Sequence, residues 1–176
     1  MRDDSLKTML YGLARCGLFI LLNIFAYIMG KFFILGVVGT FIPRLRLYNR
    51  PELLAFLSWL IPALTLIALF ADDAKRHTAY GRYNPVNVSI TMILTGVVYY
   101  VPVLLLEYVT DKKAVLGIEA LYFTSSWLRA FNFDIQTYVI IGTVIQVVFC
   151  IVSYIVARYY YLRKFESGEY EYEYEA

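Results

Sequence analysis

Residues 53–71 read LLAFLSWLIPALTLIALFA, nineteen residues without a charge. As an α-helix such a run measures about 28 Å, close to the ~30 Å hydrocarbon core of a bilayer. A helix on the surface of a soluble domain needs one apolar stripe. Here every face is apolar, so the segment reads as a membrane span. Pro62 sits at its centre and must free a backbone carbonyl. Membrane helices tolerate this when neighbours satisfy the freed group. The reading is therefore a kinked packing helix or, more sharply, a hinge.

The rest of the 176-residue chain has the same character. It is 60% apolar and 17% charged, and the charges cluster between apolar runs. Soluble domains carry about a quarter charged residues. Further spans are expected at roughly 13–31, 88–106 and 137–157. The fold class is an all-α multi-pass transmembrane bundle of four spans, with a fifth possible. Residues 1–165 form one helical domain, and the Glu/Tyr-alternating tail 166–176 is expected to be disordered, because its glutamates repel one another. No signal-peptide pattern is found: the first apolar run is too long and no A-x-A-like site follows it.

Span one allows two registers. Arg15 and Lys31 are sixteen residues apart, about 24 Å along a helix, so both can snorkel to opposite interfaces. Phe32 to Ile42 would then be a short interfacial or re-entrant piece. A register of 18–40 would instead bury Lys31, and a buried cation is costly and usually functional. The snorkelling register is preferred.

Residues 114–131, AVLGIEALYFTSSWLRAF, carry Glu119 and Arg129 within apolar sequence. They are read as an amphipathic or re-entrant segment on the outer surface, with Trp127 in the headgroup layer. A fifth span is the alternative. In span three, Thr91, Thr95 and Tyr99 recur every four residues, a polar stripe that should face other helices.

Orientation follows from the cations. The N-terminus, central loop and C-terminal flank carry nine (Arg2, Lys7, Arg15, Lys75, Arg76, Arg82, Arg158, Arg163, Lys164). The other two loops carry six (Arg44, Arg46, Arg50, Lys112, Lys113, Arg129), with Lys31 left aside. Cation excess marks the cytoplasmic side, so both termini are expected there, in a protein of the cell membrane.

Residues 72–85, joining the two hairpins, hold the single histidine. Asp72, Asp73 and His77 are the one cluster of metal-ligand types. They are weak candidates, since a structural zinc needs four ligands and a catalytic one three plus water. Orientation signals and span caps account for these charges more simply. Asn87-Val88-Ser89 forms a sequon on the expected inner face and is discounted. Cys16 and Cys150 read as small packing residues. No HExxH, GxSxG or P-loop occurs, no cofactor motif is found, and nothing suggests nucleic-acid binding. Lys31, Glu107 and Gln146 are the residues that could form a membrane-embedded polar site.

The leading functional reading is a small non-enzymatic accessory, assembly or scaffold protein. Its partners would be membrane lipids, a second copy or a larger membrane protein, met through the Thr- and Gly-containing faces of spans three and four. The rival is a small transporter or channel using Lys31 with Glu107 or Gln146.

Overall fold

The computed structural model describes residues 2–80, 85–105, 108 and 112–168. Glu107, Tyr83, Asn84 and residues 169–176 of the tail lie outside these. The described residues form an all-α bundle without strands. α1 (Arg2–Ile28) runs directly into a π-helical stretch (Met29–Val38) and a last α turn (Gly39–Phe41). α2 (Pro51–Ala79) and α3 (Pro85–Leu104) follow. A short α4 (Lys112–Leu121) and a 3-10 segment (Phe123–Phe131) lead into α5 (Ile135–Glu166).

Among the described residues, four helices are long and apolar enough to cross a membrane: Met9–Phe41, Pro51–Ala79, Pro85–Leu104 and Ile135–Glu166. They pack as a ring in which α1 touches α2 and α3, and α5 touches α2 and α3. α1 with α2 and α3 with α5 are thus packed hairpins, while α2 and α3 stand on opposite corners of the ring. Tyr11 of α1, His77 of α2 and Tyr154 of α5 meet at one end of the bundle, called here the terminus end; the opposite one is the hairpin end.

The inward faces follow helical spacing. Leu66, Phe70 and Ala74 of α2, Val88, Met92, Tyr99 and Val103 of α3, and Val139, Cys150 and Tyr154 of α5 form one core with Phe19. Leu64, Leu94, Val97 and Val156 point outward. In lipid the outward apolar surface costs nothing, and close packing and hydrogen bonds hold the ring instead. The Thr91/Thr95/Tyr99 stripe lies on the inward side: Thr95 and Tyr99 are buried and Thr91 is half-buried. The hydroxyls of Thr91 and Thr95 bond the carbonyls one turn back. The outer face of α3 is consequently aliphatic, not threonine-bearing, which alters the surface a partner would meet there.

Two segments differ from the sequence expectation. The first span is longer than 13–31, because Phe32 to Phe41 continues the helix instead of turning aside. Its end is held by a small second core of Ile34, Leu47 and Leu54, which folds the Pro43–Asn49 connection back against it. Close approach fixes the level at which it meets α2. A Cβ on Gly30 would lie 2.2 Å from the Ser58 hydroxyl oxygen and 3.1 Å from the Ser58 Cβ, so any side chain here forces Ser58 to shift.

Residues 114–131 form no fifth span; 114–121 stay half-buried or exposed, and 123–131 takes the re-entrant form, one of the two expected, but inside the bundle rather than on its outer surface. The 3-10 segment enters between α2 and α5, burying Thr124, Ser125 and Leu128. Ser125 meets α5 at Gly142, seven residues beyond Ile135 and about 10 Å from that helix end. The chain enters and leaves at the hairpin end, so the segment is re-entrant. Non-α backbone at such depth is tolerated only when protein surrounds it. Trp127 accordingly packs on Trp59 and Phe56, with ring centroids 5.9 Å and 5.6 Å away, rather than in the headgroups.

Local chemistry explains the shape of this insertion. Hydroxyl side chains compete with helical hydrogen bonds, and Ser126 bonds the Phe123 carbonyl at 2.7 Å. Asn132 closes the segment at φ 60°, a left-handed position that asparagine tolerates better than most residues. Asp134 then caps α5 through Thr137. The Thr137 hydroxyl and backbone N–H hold the Asp134 carboxyl below its usual range. On the entry side, Tyr99 donates to the Leu121 carbonyl at 2.7 Å while Tyr122 donates to the Tyr99 carbonyl. Burial pushes the Tyr122 phenol up.

A candidate polar site inside the bundle

The interior holds two polar layers. The deeper one joins α1, α5 and the re-entrant segment. Asn23 and Gln146 form a reciprocal amide pair, Nδ2 to Oε1 at 3.3 Å and Nε2 to Oδ1 at 3.2 Å. Thr124 donates to the same Asn23 oxygen at 2.6 Å. Asn23 also donates to the Phe19 carbonyl at 3.0 Å. All three side chains are essentially inaccessible. Gln146 is eleven residues into α5, about 16 Å from its start and so near mid-membrane.

The second layer lies toward the terminus end. The Arg15 guanidinium of α1 forms an ion pair with Asp73 of α2, whose other oxygen accepts from Tyr11 at 2.9 Å. His77, one turn further along α2, shares a 2.9 Å hydrogen bond with Tyr154 of α5. Arg158 donates to the same Tyr154 oxygen at 3.5 Å. The Tyr11 ring stands edge-on to His77 at 5.2 Å. Asp73, Arg15 and Arg158 all act electrostatically on His77. Three helices are tied together by groups that lipid could not solvate.

Of the residues singled out in the sequence, Asp73 and His77 enter this second layer and Asp72 does not. Asp72 is half exposed and pairs with Arg76 at 2.9 Å on its own helix. Among the described residues no group of three His, Cys, Asp or Glu side chains could hold a metal ion. The two Asp73 oxygens are engaged by a guanidinium and a phenol, donors that a cation would have to displace. Gln146 lies in the deep layer. Lys31 is on the outer surface, its ammonium 5.2 Å from the Phe123 ring centre, so the fold does not bring it to Gln146. Glu107 lies outside the described residues.

Sequence reading passed over Asn23, Thr124 and Tyr154, and took Arg15 for a snorkelling cation. Asn23 carried a usable signal, since a lone amide within an apolar span is expensive unless paired. The chain matches no protein-family model, no curated protein and no solved structure.

The deep layer behaves as a lock. Replacing Asn23 by leucine strands Gln146 and Thr124. Each unsatisfied buried group costs about 1–3 kcal/mol, although pairs in bacteriorhodopsin average only ~0.6 kcal/mol. The double variant Asn23→Leu/Gln146→Leu should unfold at higher denaturant than Asn23→Leu alone in mild detergent. A double variant weaker than the sum of the two single losses would show that the pair is no lock.

Proposed function

We propose that the chain is a small non-enzymatic component of the cell membrane, an accessory, assembly or scaffold protein, with both termini in the cytoplasm. The observation that supports this reading is the state of the interior. Asn23, Gln146 and Thr124 direct hydrogen bonds at one another, the Arg15–Asp73 pair joins α1 to α2, and together they hold four elements in place. Such an interior favours a fixed body over a path through which a solute moves. The nine-to-six cation count supports the orientation.

A transporter or channel is the second reading, and one feature favours it. Re-entrant, non-α backbone at mid-membrane depth, beside polar side chains, recurs where transporters place their sites. Purification in mild detergent separates the two. The accessory reading expects the full chain to co-purify with a larger membrane protein or with itself, and Gln146→Leu to leave ion leakage from proteoliposomes unchanged. Recovery as a lone monomer whose ion flux falls more than about ten-fold with Gln146→Leu, a barrier change of ~1.4 kcal/mol, would replace it with the transporter reading.

A further inference from the structure

Of the four spans the first is the least covered by the bundle: 22% of its apolar stretch is buried, against 44%, 33% and 39% in the others. Its outward face is a helical seam. Leu10, Gly17, Ile24 and Lys31 are exposed at seven-residue spacing, with Leu21 and Ile28 exposed between them. A second helix packing at the ~20° crossing common in membranes follows this repeat. Lys31 is the one charge among these positions, and apolar surface flanks it in both directions. Ile24 and Ile28 lie toward the terminus end, while Phe32, Val37 and Phe41 are exposed toward the hairpin end. Phe41 is ten residues on, up to about 15 Å along the axis. Side chains lean toward the N-terminus of their helix, which for Lys31 is away from the nearer interface. Its ammonium lies over the Phe123 ring, 5.2 Å from the centre, and among the described residues it makes no ion pair.

We infer that this face of the first span docks a transmembrane helix of another membrane protein, and that this helix brings a carboxylate, Glu or Asp, to Lys31. The inference rests on the accessory reading above and names its contact. Charge complementarity selects the partner. A cation within hydrocarbon is costly unless paired, and the Phe123 ring offsets only part of that cost. A carboxylate is the membrane-embedded group that relieves it. Only a helix can carry one to this depth, because an irregular segment facing lipid leaves backbone groups unsatisfied. A lipid phosphate stays in the headgroup layer, and the exposed Phe32, Val37 and Phe41 lie between that layer and Lys31. A second copy is the wrong occupant. Copies in one membrane share an orientation, so a two-fold contact through this seam sets Lys31 against Lys31.

The test places the full-length protein in phosphatidylcholine vesicles with a labelled probe, a leucine–alanine transmembrane peptide carrying one Glu at the depth of Lys31. Energy transfer should report association, and Lys31→Met should weaken it about five-fold, the equivalent of ~1 kcal/mol. Replacing the peptide Glu by Gln should weaken it about as much. A peptide cysteine one turn from the Glu should cross-link to Ile28→Cys and not to Val97→Cys on the outer face of α3. Association unchanged by Lys31→Met overturns the inference, and so does cross-linking through Val97→Cys instead of Ile28→Cys. Loss of association when phosphatidylglycerol replaces phosphatidylcholine would assign Lys31 to a lipid phosphate and overturn it. Stronger association on Glu107→Gln would assign Lys31 to a carboxylate of its own chain, with the same result. Cross-linking of Ile28→Cys to a second Ile28→Cys chain would give the face to a dimer and overturn it equally. The accessory reading fails by a different result, recovery as a lone monomer, which leaves the peptide measurements standing. A co-purifying membrane protein retained in full by Lys31→Met would end the inference and leave that reading intact.

Discussion

Gly142→Ala should unseat the re-entrant segment. A Cβ at this position would lie 2.3 Å from the Ser125 oxygen and 2.6 Å from the Ser125 Cβ. The second contact cannot be relieved by rotating a side chain, because Cβ is fixed by the backbone. α5 and the 3-10 segment must therefore separate, and Thr124 would be drawn from Asn23. Overpacking a tight interior costs about 1–3 kcal/mol, and the added loss of a buried hydrogen bond places this case at the upper end. The unfolding midpoint of the detergent-solubilised protein should fall accordingly. Ser125→Gly in the same chain should restore most of the loss, since the remaining contact, Ser125 Cα at 3.4 Å, is ordinary van der Waals distance. A midpoint unchanged by Gly142→Ala would show that the segment does not sit against α5.

The second large effect concerns the ion pair at the terminus end. Arg15→Met should leave Asp73, whose side chain is 6% exposed, without its cation. Removing one partner of a buried pair costs about 3–5 kcal/mol, because the other charge stays uncompensated. The lower end of that range applies here, since the Arg15 side chain is 20% exposed and the Tyr11 hydroxyl still reaches Asp73. The double variant Arg15→Met/Asp73→Leu should recover much of the loss, as apolar replacements of buried pairs often do. Chemical unfolding of the two variants measures both. Equal stability of Arg15→Met and the parent would mean that water, not Arg15, satisfies Asp73 in the folded protein.

The spans were legible because they depend on local composition. Nineteen uncharged residues at 53–71 specify a crossing whatever lies elsewhere in the chain. The inward Thr95–Tyr99 stripe was legible for the same reason, as four-residue spacing fixes a helix face. The re-entrant depth of 123–131 was not legible. It is set by Asn23, Gly142 and Gln146, which are remote or later in sequence, and Ser125 reveals nothing of the glycine it must meet. Arg15 was misleading for a related reason. A cation near a span end reads as snorkelling, and its partner Asp73 is 58 positions away. The continuation of the first helix through Met29–Val38 was present only as the less favoured 18–40 register, because a π-helical stretch and an interfacial turn can share one apolar composition. The polar site was legible in part: Gln146 and Asp73 were named, but the pairing that gives each its role was not.

The position of the re-entrant segment also imposes an order in time. Synthesis proceeds from the N-terminus, so Asn23 is in place before Thr124 emerges from the ribosome. Gln146 and Gly142 are not. Until α5 has been made and inserted, Thr124 and Ser125 lack the surface that shields them, and hydrocarbon would leave backbone groups of this non-α segment unsatisfied. The segment must therefore wait in water at the hairpin end while the last helix is threaded, and dock afterwards. Completion of the bundle is thus expected to follow insertion, decided by a nine-residue piece from the last third of the chain.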